Sequence, residues 1–249
     1  MPDRETASVA ARFSGAAQRY EQAALIQKEA ALRFDAWLAR QMTAEPESIA
    51  EIGCGTGLLT RLLHQRYPRA RLHATDLAPA MVDSCRASLP DKPNLQFSVR
   101  DGRVATFDPA PDWVVSAMCF QWFDPLQAVL EHHLATSRVL AFSILLDGSF
   151  GAWRDAHERA GITPGLHACP NYEQLLQMCA RLGASGMRSE RITINEHHAS
   201  GLSFAHSLRA IGADQPRAGH APVSLKPVLR QLERGFDADY DIGFFLIER

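Results

Sequence analysis

Apolar residues recur at three- and four-residue steps from Val9 to about Met42. This spacing places them on one face of a helix and predicts an amphipathic helical segment. Gly15 interrupts the pattern, so we expect a short helix before it and a longer one after it. The dipeptide Glu45-Pro46 ends the segment.

Short apolar runs then alternate with amphipathic stretches. The run at Trp113–Met118 is almost continuously apolar, which is typical of a parallel strand covered on both faces. The alternation predicts a doubly wound α/β fold with a mostly parallel sheet of about seven strands. The strands predicted in the first half are Ser48–Ile52, Arg71–Thr75, Leu95–Val99, Trp113–Met118 and Arg138–Leu146, and the helices between them are Leu58–Arg66, Ala80–Ser88 and Leu126–Leu134.

The second half is richer in helical patterns. A loop is expected over residues 161–170, which contain two glycines and two prolines. The predicted helices are Gly151–Ala160, Tyr172–Leu182, Phe204–Ile211 and Leu225–Gly235, and the predicted strands are Arg188–Glu196 and Tyr240–Glu248.

We interpret residues 1–249 as a single domain with two additions to a minimal fold. Residues 1–45 form a helical N-terminal segment, residues 46–197 and 236–249 form the sheet core, and residues 198–235 form a helical insert. Ligands of such sheets bind outside the carboxyl ends of the strands. Additions near that edge can form a lid, although they can also simply complete the core.

Composition narrows the function classes. The chain of 249 residues has a net charge of −2 and 46% hydrophobic residues, so no global field favours nucleic acid or a membrane surface. No apolar run approaches the length of a membrane span, and the first residues are too polar for a secretory signal.

Cysteine and histidine usage indicates a reduced protein without a metal site. The five cysteines are an odd number with no CxxC pair, which favours a cytoplasmic location. The adjacent pairs His132-His133 and His197-His198 chelate poorly, because neighbouring side chains point in different directions.

The segment from Glu51 to Gly57 carries the clearest chemistry. It follows a predicted strand and precedes a predicted helix, as a nucleotide-binding corner requires. A dinucleotide fingerprint needs a third small residue where Leu58 stands. The glycines instead alternate two residues behind an acid, at Gly53, Gly55 and Gly57.

This pattern resembles that of class I S-adenosylmethionine (SAM) methyltransferases. The resemblance implies that Glu51 helps to hold the cationic amino-acid end of SAM. It also implies that a second acid, at the end of the next strand, accepts hydrogen bonds from the ribose hydroxyls. Asp76 stands at that position, although it could also merely cap the following helix.

The adenine and methyl ends of the cofactor are assigned by the same resemblance. Asp101 follows the third strand and fits the acid that takes the adenine amino group, although Asp101-Gly102 is also an ordinary turn. The loop after the fourth strand should pass beside the methyl group. The cofactor-binding residues implied are Glu51, Gly53, Gly55, Gly57, Asp76, Leu77, Met81, Asp101, Gly102 and Met118.

A closer resemblance covers nearly the whole chain. The run Val9–Gln27, the pair Gln121-Trp122, the turn Asp147–Ser149 and the segment Ser207–Ala213 are similar to those of malonyl-carrier-protein O-methyltransferases of biotin synthesis. The chain departs from that family at Arg100–Arg103, Ala135–Ser137, His167–Tyr172 and Arg209.

The resemblance implies methyl transfer from SAM to the free carboxylate of a malonyl thioester. A carboxylate is ionised at neutral pH, so no general base is needed, but a dry pocket must supply a cation or several donors. Tyr20, Arg209 and Arg154 are the candidates, with Arg154 the last of the three. Gln121 and Trp122 are assigned to the acceptor pocket.

The expected partner is an acyl carrier protein bearing the malonyl thioester, or malonyl-coenzyme A. Carrier proteins are typically acidic. Between Arg188 and Arg234 the chain has seven Lys or Arg residues against four Asp or Glu residues. This local excess favours an acidic partner and faster encounter.

Two other functions fit the same signals. One is a different small-molecule SAM methyltransferase, such as a small-acid carboxyl or quinone C-methylating enzyme. The C-methylating enzyme would need a base near the acceptor carbon. The other is a non-catalytic SAM-binding factor, which would keep the glycine loop and Asp76 without turnover.

Overall fold

The computed structural model describes residues 4–217 and 219–249. Residues 1–3 and 218, which belong to the predicted N-terminal segment and insert, lie outside the described residues. The helices are α1 Arg4–Ala23, α2 Leu25–Gln41, α3 Leu58–Arg66, α4 Pro79–Ala87, α5 Leu126–Ala135, α6 Gly151–Arg159, α7 Tyr172–Ala180, α8 Gly201–Ala210 and α9 Lys226–Gln231, and the strands are β1 Ser48–Ile52, β2 Arg71–Asp76, β3 Leu95–Val99, β4 Trp113–Ala117, β5 Val139–Leu145, β6 Gly186–His198 and β7 Phe236–Glu248.

The strands form one sheet in the order β3-β2-β1-β4-β5-β7-β6. Strands β1 to β5 pair in parallel, and β7 is antiparallel to both β5 and β6. The chain reverses its direction of travel across the sheet between β1 and β4, so a crevice opens at their carboxyl ends. The doubly wound, mostly parallel seven-stranded sheet is therefore confirmed.

The sheet is covered on both faces. On one face α2 packs against β7, where Phe34 and Trp37 contact Phe244 with ring centroids 5.4 and 5.7 Å apart. On the other face Phe142 of β5 stacks on Phe245 at 5.2 Å. Adjacent residues of β7 thus serve opposite layers, as the two-residue period of a strand requires.

The expected break at Gly15 is wrong. Helix α1 continues through Gly15, and the chain breaks instead at Ala24, which has φ −86° and ψ 50°. A methyl group placed on Gly15 would meet nothing within 4 Å. The glycine therefore costs only its intrinsic propensity in an exposed helix interior, and that cost is too small to end a helix packed on the domain.

Strands β6 and β7 are longer than expected. They pair in register from Gly186 opposite Glu248 to His198 opposite Phe236. The apolar pattern of β7 begins only at Tyr240, because the preceding residues include Asp237 and Asp239. Cross-strand pairing, which no local pattern reveals, extends both strands.

The segments before β1 and between β6 and β7 meet above the crevice. Phe13, Ala17 and Tyr20 of α1 pack against Ala78 and Met81 at the start of α4. Helix α1 also contacts α8 of the insert.

Candidate active site

Two adjoining cavities lie at the carboxyl edge of the sheet. The first has a volume of about 780 Å³ and is lined by the ends of β1, β2 and β4 and by α1. The second, of about 360 Å³, lies between α1, α6 and the insert. Their common wall consists of Phe13, Tyr20, Met118, Gln121, Trp122, His167 and Cys169.

The glycine loop brings bare backbone to the first cavity. Gly53 has φ +72°, and a Cβ there would lie 2.3 Å from the Cys119 sulfur. Only glycine fits both the conformation and the close approach. The amide nitrogens of Gly53 and Cys54 donate to the Thr75 carbonyl, at 2.8 and 2.9 Å. The loop is therefore held against β2 with its open side facing the cavity.

Asp76 ties the two loops of this corner together. Its Oδ2 accepts from the Gly55 amide at 2.9 Å, and its Oδ1 accepts from the Ala78 amide at 2.8 Å. Burial raises the pKa of Asp76, and these backbone donors oppose the rise. Each carboxylate oxygen can accept a second hydrogen bond, so the group remains available to a diol in the cavity.

Glu51 lies beneath the loop and is not part of the cavity wall. It is 1% exposed, and its Oε2 has no hydrogen-bond partner among the described residues. Burial raises the pKa of Glu51 to about 7, the nearby Asp76 adds to the rise, and Thr60 and Arg61 oppose it. A buried carboxylate of this kind is stabilised by a cation placed on the other side of the loop.

The remaining cofactor candidates have mixed positions. Leu77, Met81, Asp101, Gly102 and Met118 line the first cavity together with Gly53, Gly55 and Asp76, whereas Gly57 does not. Gly57 instead turns the chain into α3 with φ +94°, close to the Cys85 sulfur.

Sequence reasoning missed two residues that contact Asp101 and Gly102. Arg103 pairs with Asp101, with Nη2 2.8 Å from Oδ2, and both residues line the cavity. His133 is fully buried on α5, and its Nε2 donates to the Gly102 carbonyl at 2.7 Å. The Asp-x-Arg spacing offered a weak signal for the first. No sequence signal pointed to the second, because α5 is remote in the chain.

The loop after β4 contains a strained residue beside the common wall. Met118 has φ +51°, a left-handed conformation that costs a non-glycine residue about 1–3 kcal/mol. Its amide donates to the Ser143 carbonyl at 2.9 Å, and its carbonyl accepts from Gln121 Nε2 at 2.7 Å. Met118 was expected to end the strand, but β4 stops at Ala117 because this turn redirects the chain.

The aromatic residues of this loop divide between core and wall. Phe120 is fully buried and packs on Phe142 at 5.2 Å. Trp122 meets the edges of Phe13 at 5.6 Å and His167 at 4.9 Å. Gln121 and Trp122 thus stand on the wall between the two cavities, where the acceptor was expected.

Tyr20 is the candidate nearest to the cofactor side. It lines both cavities, and among the described residues its hydroxyl makes no hydrogen bond. Burial, with Asp76 and Cys119 close by, raises the pKa of Tyr20. The phenol therefore keeps its proton and can donate it to an acceptor group.

The two arginine candidates differ in what they face. Arg154 is partly buried on α6, lines the second cavity and donates through Nε to the Ser149 carbonyl at 2.9 Å. It forms no ion pair with any residue that the structure describes. Arg209 also lines that cavity, but its side chain is 68% exposed and pairs with Asp214 at 3.2 Å. Arg154, the last of the three sequence-based candidates, is thus the more enclosed of the two arginines.

The described residues contain neither a metal-binding cluster nor a membrane-spanning helix. No group of three or more His, Cys, Asp or Glu side chains within residues 4–217 and 219–249 is arranged to hold a metal ion. In the same ranges, no helix has the length and apolar character needed to cross a bilayer.

Comparison with known proteins places this geometry in a family context. A family model described as a methyltransferase domain matches residues 49–139. The biotin biosynthesis bifunctional protein BioCD of Bordetella avium is 37% identical over 94% of this chain, which spans half of that relative's length. The malonyl-[acyl-carrier protein] O-methyltransferase of Magnetococcus marinus is 33% identical to this chain, and the alignment covers 93% of this chain and 89% of that relative.

A solved structure gives the same fold at low identity. The magnesium protoporphyrin IX methyltransferase ChlM from Synechocystis PCC 6803, with bound SAH, aligns with a TM-score of 0.60 and 13% identity, over 93% of this chain and 86% of that chain. At this identity the likeness concerns the fold alone.

Proposed function

The chain belongs to the malonyl-[acyl-carrier protein] O-methyltransferase family, and we propose that it transfers a methyl group from SAM to the free carboxylate of a malonyl thioester. The product is a methyl ester that starts the pimeloyl part of biotin synthesis. The observation that carries the proposal is Arg154, an arginine without an ion-pair partner among the described residues, in the cavity that shares a wall with the SAM site.

The residues of the first cavity fit SAM. The cofactor supplies an electrophilic methyl group on a sulfonium. Gly53 leaves space against Cys119, Asp76 offers carboxylate oxygens to the ribose, and Glu51 has an unpartnered oxygen beneath the loop. Asp101, held by Arg103, stands at the adenine end.

The residues of the second cavity suit a carboxylate acceptor. A guanidinium binds a carboxylate through charge-assisted hydrogen bonds, and the Ser149 carbonyl fixes its Nε so that the remaining nitrogens are directed elsewhere. Tyr20 supplies a further donor on the common wall. Together they would hold the carboxylate oxygen in line with the methyl–sulfur bond at near-attack distance, which supplies most of the catalysis such a transfer needs.

We also propose that α1 and the insert act as a lid over this chemistry. Phe13 and Tyr20 of α1 line both cavities, and Leu208 and Val223 of the insert line the second. Exclusion of water by these apolar groups strengthens the electrostatic contacts inside.

The acceptor is proposed to arrive on an acyl carrier protein in the cytoplasm. The excess of Lys and Arg in the segment from Arg188 to Arg234 suits an acidic carrier. All five cysteines are free thiols, which suits a reducing compartment.

The test incubates the protein with methyl-labelled SAM and one of three acceptors: malonyl-carrier protein, malonyl-coenzyme A or acetyl-carrier protein. We expect label on the malonyl species only, and mild alkali should release it as methanol because the product is an ester. Label that resists alkali would indicate C-methylation. SAM binding without transfer to any acceptor would indicate a non-catalytic factor. Either result would overturn the proposal.

A further inference from the structure

The wall of the second cavity contains a histidine that the proposed methyl transfer does not use. His157 lies one turn after Arg154 on α6, and both side chains line this cavity. Residues three apart on a helix share a face, so the two side chains stand side by side along the cavity wall. His157 is only 1% exposed.

The hydrogen bonding of His157 fixes which nitrogen carries the proton. Nδ1 lies 2.9 Å from the Trp153 carbonyl, and because a carbonyl can only accept, Nδ1 must donate. Burial lowers the pKa of His157, and the neighbouring His220 lowers it further. The ring is therefore neutral at pH 7, and Nε2 carries a free lone pair.

Nε2 has no hydrogen-bond partner among the described residues. The ring cannot easily turn to find one, because it packs on Trp153 with centroids 4.8 Å apart. An acceptor held in a fixed direction on a cavity wall offers a site for an N–H or O–H donor of a ligand.

The position of His157 indicates which part of a ligand it meets. Arg154 acts electrostatically on Cys169, which belongs to the common wall with the first cavity. His220, which helps to lower the pKa of His157, lies between α8 and α9 and lines the same cavity. A carboxylate held by Arg154 would thus have the rest of its molecule within reach of His157 on the same cavity wall.

We propose that the second cavity contains a binding subsite for a secondary amide, in which His157 Nε2 accepts a hydrogen bond from an amide N–H of the arm that carries the thioester. This inference rests on the proposed function and adds a specificity-determining residue for its thioester substrate. The thioester sulfur of such an arm is followed by two methylene groups and then an amide N–H. The apolar side chains of Trp153, Leu208 and Leu225 line the same cavity and suit the methylene groups.

The test compares three proteins with two acceptors. The proteins are the wild type, His157→Phe, which keeps the ring shape but lacks an acceptor, and His157→Gln, which keeps an acceptor oxygen. The acceptors are malonyl-pantetheine and the malonyl thioester of propanethiol, which has no amide.

We expect His157→Phe to raise KM for malonyl-pantetheine about tenfold, or about 1.4 kcal/mol, with kcat nearly unchanged. KM for the propyl thioester should stay the same, and His157→Gln should restore most of the loss. An equal rise for both acceptors, or no rise for malonyl-pantetheine, overturns the subsite.

A binding measurement separates this inference from the methyl transfer itself. Pantetheine without a malonyl group is titrated calorimetrically into the SAH-loaded wild-type and His157→Phe proteins. About tenfold weaker binding to His157→Phe supports the subsite even if no malonyl thioester is methylated. Equal binding to both proteins, or no binding to the wild type, overturns it even if methyl transfer is observed.

Discussion

At the scale of single residues, Glu51 shows what a buried carboxylate costs in stability. Its pKa rises from 4.5 to about 7 in the folded protein because the carboxylate is buried. Between these two pH values the folded state binds more protons than the unfolded state, so the free energy of unfolding falls as the pH rises. By linkage the ionised carboxylate costs about 3 kcal/mol above pH 7. A bound cation is the natural compensation.

This residue predicts a pH dependence of SAM binding. As the pH falls from 7 to 5.5, Glu51 takes up a proton, and the Kd for SAM should rise by as much as about tenfold per pH unit. Calorimetric titration across this range measures the effect. Glu51→Gln is the control, because it should bind SAM weakly with no dependence in this range while unfolding several degrees higher than the wild type at pH 8 without ligand. Parallel pH profiles for the two proteins would contradict the assignment.

The position of Arg154 predicts that its substitution weakens acceptor use without changing cofactor binding. Removing a charge-assisted contact to the carboxylate by Arg154→Gln should lower kcat/KM for malonyl-carrier protein about 30- to 100-fold, in line with 1.5–3 kcal/mol for such hydrogen bonds. The Kd for SAM should not change, since Arg154 lies outside the first cavity.

Arg159 offers a matched control on the same helix. It is exposed and donates to Gln231 at 2.7 Å, away from the second cavity. Arg159→Gln should leave kcat/KM within about twofold of the wild type, as surface substitutions usually do. If Arg154→Gln were equally mild, the acceptor carboxylate would have to be bound elsewhere.

The sequence reveals site features made by neighbouring residues better than features assembled from distant segments. The glycine loop and Asp76 could be predicted because the turn and the strand end are contiguous in the chain. The ion pair between Arg209 and Asp214 cannot be recognised from spacing alone. His157 carries no motif, and the cavity that it lines is assembled from distant segments.

At the scale of elements, the proposed lid depends on the contact between α1 and the insert. Arg12 of α1 pairs with Asp214 at 2.8 Å, and Ser8 donates to Gln215 at 3.1 Å. Gly212, two residues before Asp214, has φ +78°, and a Cβ there would lie 3.0 Å from the Arg12 carbonyl oxygen. The backbone of the insert lies close to the backbone of α1 at this point, and neither can shift easily.

This contact predicts that Gly212→Ala loosens α1 without unfolding the core. Both the left-handed conformation and the clash oppose the methyl group, so amide hydrogen exchange should quicken in residues 4–23 and KM for malonyl-carrier protein should rise. Gly183→Ala is the control, since Gly183 has φ +68° but open space around it. It should cost similar global stability, about 1–2 kcal/mol, and leave exchange in α1 unchanged. Equal exchange in both variants would contradict the lid contact.

Elements with a strong local pattern were predicted almost to the residue. Strand β1 and helix α3 have the expected bounds because apolar periodicity and the glycine loop delimit them. The length of β6 and the continuity of α1 through Gly15 were not predicted. Both depend on packing partners that are remote in sequence, and tertiary contacts override local propensity at such positions.

At the scale of the whole molecule, one segment carries a charge opposite in sign to the net charge of the chain. The chain carries a net charge of −2, yet the segment from Arg188 to Arg234 carries an excess of basic residues. The loop between α8 and α9 contributes Pro216, His220 and Val223 to the lining of the second cavity and belongs to this segment. Arg217 lies exposed in that loop, with its amide bonded to the Gly165 carbonyl. An acidic carrier would therefore meet positive charge at the cavity mouth.

Long-range attraction of this kind predicts a salt dependence that is specific to the carrier-bound substrate. Raising ionic strength from about 0.05 to 0.5 M shortens the Debye length severalfold, so kcat/KM for malonyl-carrier protein should fall about tenfold. The value for malonyl-pantetheine, which has no acidic protein attached, should change less than about twofold.

Arg217→Glu should reproduce the loss at low salt. Arg69→Glu is the control, because Arg69 lies in the turn before β2, at the opposite edge of the sheet. An equal loss from Arg69→Glu would attribute the effect to net charge, whereas a loss confined to Arg217→Glu would locate carrier docking at the mouth of the second cavity.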